Sequence, residues 1–320
     1  MRAVQTMEYG GPEVLTAVTL PDPVPGPGEV LIDVAHVDTL FVETQVRTGW
    51  GREYFPETPP YIPGGGVSGV VAGLGPGVPE EWLGRRVAAH VRGSYASRAV
   101  AAASALTVVP DALALLPAAA LVHDGVTAAG LLELTAVAPG DRVLILGSSG
   151  GMGTLMVQLA RSRGALVVGA ARGAEKLALV EGLGADATVD VSAADWPERA
   201  RTALGGAADV ILDGVGGRLG ATALTLAADG GRFSAHGAPS GTFATLDTEE
   251  ASRRGIKLFG IADVQFPTAE LRRLTSYAFE EAVAGRLQAV IGEVLGLEQA
   301  AAAHAVIEGR EVVGKVMLTV

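Results

Sequence analysis

Cysteine is absent from this 320-residue chain. Its absence excludes disulfides, thiolate nucleophiles and cysteine-ligated zinc, and it suits a reducing compartment. Lysine is scarce: Lys176, Lys257 and Lys315 stand among 24 cationic residues, the rest being arginine. Together with abundant Ala and Gly, this bias reads as coding composition and carries no mechanism. Positive charge is short overall. The formal net charge is −11, so no basic stripe awaits a phosphate backbone and nucleic acid is not expected as a partner. Long apolar runs are missing too. No uninterrupted stretch reaches membrane-spanning length, and Met1-Arg2-Ala3-Val4-Gln5 lacks an apolar signal core, so the expectation is a cytoplasmic protein without a membrane partner. The histidines, His36, His90, His123, His236 and His304, are scattered with no i,i+3 or i,i+4 pair to chelate a metal. No metal site is expected.

What is present is 49% hydrophobic and 18% charged, a globular composition in a chain long enough for more than one core. Up to about Ala120 the sequence is dense in Gly and Pro, with short β-rich runs at residues 29–34, 67–72 and 86–91. These predict a small, mostly antiparallel barrel. From Val126 to about Ala262 strands alternate with helices. Residues 143–147, 166–170, 187–190, 210–213, 231–236 and 257–261 form six candidate parallel strands, the number of a doubly wound sheet. A helical pattern around Leu271–Ala284 then leads to a last β run, Lys315–Val320. The order predicts two domains, 1–122 with 264–320 and 123–263, the second inserted into the first.

The most informative segment is Val143-Leu144-Ile145-Leu146-Gly147-Ser148-Ser149-Gly150-Gly151-Met152-Gly153. An apolar strand runs into a glycine-rich turn and a helix pattern begins at once, as where a dinucleotide pyrophosphate sits on a helix N-terminus. The turn reads Ser148-x-Gly150-x-x-Gly153, without the first glycine of the usual fingerprint. Alone it is weak. The flanks strengthen it, since residues 155–160 continue a helix and 165–171 supply a second buried strand, completing a βαβ unit. At that strand's end, where an NAD site places an acid for the ribose 2′-hydroxyl, stands Arg172, with Lys176 beyond it. Two readings stand: a clamp for the 2′-phosphate of NADPH, or two surface cations at a helix start.

Several segments in order resemble the zinc-free quinone oxidoreductases (zeta-crystallin-like) of the medium-chain dehydrogenase/reductase superfamily. They are residues 27–32, Pro63-Gly64-Gly65-Gly66-Val67-Ser68-Gly69, residues 138–145 before the glycine turn, Asp213-Gly214-Val215-Gly216-Gly217, Gly230-Gly231-Arg232-Phe233 with Gly237, and the tail Gly314-Lys315-Val316-Met317-Leu318. The resemblance covers nearly the whole chain. It implies an α/β architecture, with a doubly wound Rossmann domain for NADPH and a GroES-like, mostly β barrel domain for the substrate. It also implies absences. Zinc-dependent members carry a Gly-His-Glu segment where this chain has Gly64-Gly65-Gly66, and a four-Cys lobe that it lacks.

By the same resemblance the cofactor is held by Pro63, Thr127, Ser148, Ser149, Gly150, Gly151, Met152, Gly153, Arg172, Lys176, Gly214, Val215, His236, Gly237 and Ala238. The implied activity is zinc-independent hydride transfer to a small planar quinone or another α,β-unsaturated carbonyl. An enoyl or alkenal reductase of specialised metabolism and a low-turnover NADPH-binding sensor or structural protein are the alternatives. Polyketide-type enoyl reductases typically carry Lys where Ala238 stands. On the acceptor side, Asp38, Glu43 and Gln45 replace the family's Asn, Asp and Tyr. A familiar proton donor is therefore missing. Candidates are Tyr54 as an O–H donor and Trp50 as a stacking platform, or else a loop that merely covers the barrel. Asp38 either orients a substrate hydroxyl or caps a turn. His123 and Asp124 serve as an acid and its orienting partner, or hold structure. The edge near Lys257–Ile261 is where family members pair into homodimers.

Overall fold

Residues 1–310 and 312–320 are described by a computed structural model. Along the chain run β1 (Arg2–Thr6), β2 (Leu15–Thr19), β3 (Glu29–Asp38), α1 (Phe41–Arg47), β4 (Gly66–Leu74), β5 (Arg86–His90), β6 (Arg98–Ala102), β7 (Thr107–Val108), α2 (Leu115–Val122) and α3 (Asp124–Leu134). Next come β8 (Arg142–Leu146), α4 (Gly151–Ser162), β9 (Leu166–Ala171), α5 (Ala174–Gly182), β10 (Ala187–Asp190), α6 (Trp196–Ala203), β11 (Ala208–Asp213), α7 (Gly217–Leu224), β12 (Ala227–Ala235), α8 (Thr248–Arg253) and β13 (Lys257–Gly260). The chain closes with α9 (Thr268–Val283), β14 (Ile291–Gly296), α10 (Ala300–Gly309) and β15 (Lys315–Thr319).

Two compact units result. The first comprises Met1–Val126, Thr268–Ala284 and Ala289–Val320, and the second Thr127–Pro267 with Gly285–Gln288. These bounds differ from the expected 1–122/264–320 and 123–263 at both junctions, where 123–126 fall in the first unit and 264–267 in the second, and in the short stretch 285–288. Its placement has a local cause: the Gln158 side chain on α4 donates to the Gln288 carbonyl at 2.9 Å and accepts from the Gln288 N–H at 2.8 Å.

In the first unit, β3 shows the period of a half-buried strand. Val30, Ile32 and Val34 point into the core while Asp33 faces out. It pairs antiparallel with β4, β6 and β15, in a sheet ordered β14-β15-β3-β4-β5-β7 with β6 beside β3. Among the described residues only the β14–β15 pair in this sheet is parallel. The core gathers Val30, Ile32, Val67, Val71, Val87 and Leu318 from four of these strands. Burying one such side chain contributes about 1.5–3 kcal/mol. Helix α2 is apolar on all sides, and Ala118 to Val122 are accordingly buried.

The second unit is a parallel sheet ordered β10-β9-β8-β11-β12-β13. Val143, Leu144, Ile145 and Leu146 are all buried, which explains a continuous apolar run where a strand is covered on both faces. The order reverses between β8 and β11, the switch point where ligands bind in doubly wound sheets. One end differs from expectation. The strand expected to reach Ile261 stops at Gly260, and Ile261 opens a 3-10 turn whose first N–H group, Gly260, is taken by the Asp263 carboxylate at 2.7 Å. No single helix among the described residues is long and apolar enough to cross a membrane.

Candidate functional site

The carboxyl ends of β8, β11 and β12 meet at the switch point of the second unit. Gly147, at φ +73, turns the chain out of β8 in a conformation that L side chains avoid. The residue supplying the turn is thus Gly147, one position before the expected first glycine. Ser148 is tolerated there because its hydroxyl turns back to donate to the Ala170 carbonyl at 3.0 Å, and because the facing Gly169 leaves room, a Cβ on it lying 3.1 Å from Ser148 Oγ. Helix α4 then packs so tightly that a Cβ on Gly153 would sit 2.1 Å from the Gly147 carbonyl oxygen. Gly150 is the N-cap and makes no side-chain cap, which leaves first-turn N–H groups able to take an anion.

The neighbouring strand ends close on this turn. Val215 Cγ2 would lie 3.0 Å from a Cβ on Gly147, and a Cβ on Gly237 would fall 2.3 Å from the Gly214 backbone. Asp213 ties the loop together, Oδ1 accepting from the Val215 and Gly216 N–H groups at 2.9 Å. Burial pushes its carboxyl up to about 6, against those two N–H donors. His236 is buried, its Nδ1 3.2 Å from the Ser234 hydroxyl. Burial pushes it down to about 4, which keeps the ring neutral at ordinary pH. Its Nε2 is buried without a hydrogen-bond partner, as is Asp213 Oδ2. Orphaned polar atoms beside a glycine-lined turn and an uncapped helix fit a dinucleotide's ribose and phosphates.

Ser148, Ser149, Gly150, Gly151, Met152, Gly153, Gly214, Val215, His236, Gly237 and Ala238 therefore lie on three adjoining strand ends and the loops that leave them. Arg172 is exposed just past β9, and Lys176 is half-buried in α5. Asp190, at the end of β10, accepts from the Gly173 N–H at 3.4 Å and is held below the usual carboxylate range by the Ser192 hydroxyl and N–H and by the Arg172 charge. Glu175 adds an acid to the first turn of α5, so the cations stand among carboxylates. Thr127 is buried on α3.

The remaining sequence-predicted residues belong to the first unit. Pro63 is buried, its carbonyl accepting from the Tyr95 N–H at 2.9 Å. A Cβ on the adjacent Gly64 would meet Ser94 Oγ at 2.2 Å. Gly64, Gly65 and Gly66 offer no donor side chain, and no group of three His, Cys, Asp or Glu among the described residues suits a metal. The zinc of zinc-dependent members does not fit this donor set. Trp50 stacks on Phe55, ring centroids 6.5 Å apart, and Arg52 lies over the Tyr9 ring, so the aromatic loop packs partly on itself. Tyr54 is 48% exposed.

Asp38 requires correction. It is fully buried, and of the two readings the side chain serves the turn between α2 and α3 and a buried lysine, not a substrate hydroxyl. Oδ1 lies 2.6 Å from Lys315 Nζ and Oδ2 accepts from the His123 N–H at 3.3 Å. Lys315 also reaches Asp124 Oδ2 at 2.7 Å. Burial works against the lysine's charge, but the two carboxylates more than offset it and hold its proton firmly. Burial pushes Asp38 up to about 6, Lys315 opposing and Asp124 adding.

A second buried chain lies alongside. Arg47 NH1 meets His304 Nδ1 at 3.0 Å, His304 Nε2 meets the Tyr95 hydroxyl at 3.0 Å, and Tyr95 donates to Glu43 Oε2 at 2.7 Å. Arg47 also pairs with Glu308. Sequence reasoning missed Arg47, Tyr95, His304 and Lys315 as members of polar clusters. One signal was there to read: Lys315 interrupts an apolar closing strand, and a charge so placed needs a buried partner.

Comparison with known proteins agrees with this geometry. Residues 26–111 match the family described as alcohol dehydrogenase GroES-like domain, and residues 151–276 the family described as zinc-binding dehydrogenase. The chain is 31% identical to a 2-haloacrylate reductase from Burkholderia sp., over 97% of this chain and 96% of that protein. It is 32% identical to a quinone oxidoreductase from Rattus norvegicus, over 99% and 97%. A mycobacterial protein solved in complex with NADPH superposes with a TM-score of 0.92 at 31% identity, both chains covered fully. The chain belongs to the medium-chain dehydrogenase/reductase superfamily, among relatives that include quinone oxidoreductases.

Proposed function

We propose that the protein is an NADPH-dependent, zinc-independent oxidoreductase that reduces a quinone or another α,β-unsaturated carbonyl in the cytoplasm. The carrying observation is the convergence of the Gly147–Gly153 turn, Gly214–Val215 and His236–Gly237 around an uncapped helix N-terminus at the switch point. When bound, NADPH supplies a hydride from its nicotinamide. The chain's own work is to hold and orient. First-turn N–H groups of α4 take the pyrophosphate, and Arg172 with Lys176 takes the 2′-phosphate. With no donor set to polarise an alcohol, the acceptor has to be electron-poor already. Trp50 offers a face to a planar acceptor and Tyr54 an O–H to its oxygen, stabilising the charge that develops there.

The 2-haloacrylate reductase relative favours a second reading, in which the reduced bond is a C=C conjugated to a carbonyl rather than a quinone ring. Stopped-flow oxidation of bound NADPH and NADH by a panel of quinones and enones tests both. Rapid oxidation of NADPH in preference to NADH supports the reductase, and the acceptor class separates the two readings. Tight NADPH binding with no oxidation by any acceptor overturns both in favour of a sensor or structural protein.

A further inference from the structure

The strand that leads to Arg172 ends without an acid, and the next strand, β10, ends in Asp190. Folding brings the two ends together. β10 pairs parallel with β9 so that Asp190 stands opposite Ala171, the residue before Arg172, and the Val191 N–H donates to the Ala171 carbonyl at 3.0 Å. Parallel neighbours lie about 4.8 Å apart. Within the second unit, the carboxyl ends of β9 and β10 therefore present a cation and a carboxylate side by side where the adenosine ribose of a dinucleotide sits. We propose that Asp190 is a second coenzyme-specificity residue, its Oδ2 accepting from the adenosine-ribose 2′-hydroxyl of NADH and opposing the 2′-phosphate of NADPH, so that the protein takes both reduced nucleotides. This role rests on the nucleotide reading above and not on the acceptor.

The carboxylate is held by one oxygen and leaves the other available. Oδ1 accepts from the Ser192 N–H at 2.8 Å and from the Ser192 hydroxyl at 2.6 Å, which together turn the chain after β10. Oδ2 keeps one long contact, from the Gly173 N–H at 3.4 Å, beyond the roughly 2.7–3.2 Å usual for such a bond. A carboxylate oxygen accepts more than one hydrogen bond, so Oδ2 can take a stronger donor. Asp190 is half-buried at the strand end. The space beside it is open, because Gly173 adopts φ +84 and a Cβ on it would meet nothing within 4 Å. The Ser192 hydroxyl and N–H, and after them the Gly173 N–H and the Arg172 charge, hold the Asp190 carboxyl below its usual range, so it is anionic at ordinary pH.

The two nucleotides differ at this point alone. A 2′-hydroxyl donates, and Oδ2 accepts from it. A 2′-phosphate, at about −1.5 to −2 near pH 7, brings acceptors and negative charge toward a carboxylate. Arg172 acts in the opposite direction, its fork matching phosphate. With both residues present, NADPH is preferred by less than Arg172 alone would give, and NADH binds as well. Isothermal titration calorimetry of the purified protein with NADPH and with NADH tests this without any acceptor, for wild type, Asp190→Asn and Asp190→Ser, with Glu175→Gln as a control that removes a charge from the first turn of α5. Wild type is expected to bind both nucleotides. In Asp190→Asn, NADPH is expected to bind about fivefold more tightly and NADH about fivefold more weakly, the worth of one exposed charge contact and of one hydrogen bond. Asp190→Ser, which keeps a hydroxyl for the turn, is expected to shift the pair in the same sense. No change in either affinity, or a fall in both, overturns the assignment and leaves Asp190 a turn residue. An equal shift in Glu175→Gln overturns it in favour of a general surface field, and wild type that binds NADPH but not NADH overturns the dual use. Wild type that binds neither nucleotide overturns the nucleotide reading itself, and the specificity assignment with it.

Discussion

Replacing Glu43 by Gln removes a titrating carboxyl while keeping the size and an acceptor oxygen for its two partners. Glu43 Oε2 accepts from the Leu40 N–H at 3.0 Å and from the Tyr95 hydroxyl at 2.7 Å, while Oε1 is buried with no partner. Burial pushes the carboxyl from its ordinary 4.5 up to about 7, with the Asp38 charge adding and those two donors and Lys315 opposing. The folded state thus keeps a proton that the unfolded chain releases between these values. Where the native state binds more protons, stability falls as pH rises, here from about 4.5 to about 7, and then stays low. Between about pH 5 and about pH 8 the loss amounts to about 2.5 kcal/mol for a fully desolvated group, and to roughly 2 for a half-buried residue. Asp38 and Asp213, both pushed up to about 6, act in the same direction but are common to wild type and variant. Urea unfolding followed by tryptophan fluorescence at the two pH values isolates the difference. Glu43→Gln is expected to lose roughly 2 kcal/mol less than wild type over this range. An equal loss in both proteins would refute the assignment of a neutral, proton-holding Glu43.

Arg172→Ala is expected to raise the KM for NADPH by about tenfold, the worth of a charge-assisted hydrogen bond to phosphate, and to leave NADH unchanged; steady-state kinetics with both nucleotides decides it. In Gly153→Ala the new Cβ falls 2.1 Å from the Gly147 carbonyl oxygen, so α4 must move away from the turn. The expected outcome is a loss of about 1–3 kcal/mol in denaturation and a weakened NADPH titration by fluorescence. Phe233→Ala empties a fully buried position on β12 and is expected to cost about 3–5 kcal/mol without changing the nucleotide preference of what remains folded. Strand β13 ends the six-stranded sheet and leaves its outer ladder unpaired within the chain. A homodimer through this edge is expected, with a light-scattering mass of about twice 32.4 kDa; a single-chain mass at micromolar concentration would count against it.

What the sequence determined by itself lies in local patterns. The apolar run Val143–Leu146, followed at once by Gly147, is buried on both faces, and it marks β8 together with the turn at 147–153 because strand, turn and helix are consecutive there. Gly153 was legible for the same reason, since the helix must approach the turn closely, whereas the positive φ at Gly147 appeared only in the structure. The partners of charges were not legible. Asp38, Asp124 and Lys315 are far apart in sequence, and antiparallel pairing of β3 with β15 brings an acid and an ammonium within 2.6 Å in a buried place. Read alone, Asp38 was an acid near a turn; folded, it is a buried counterion whose proton depends on a lysine 277 positions away. Burial and charge pairing are properties of three-dimensional neighbours, so the tertiary structure alone decided which carboxylates are held and which imidazoles stay neutral.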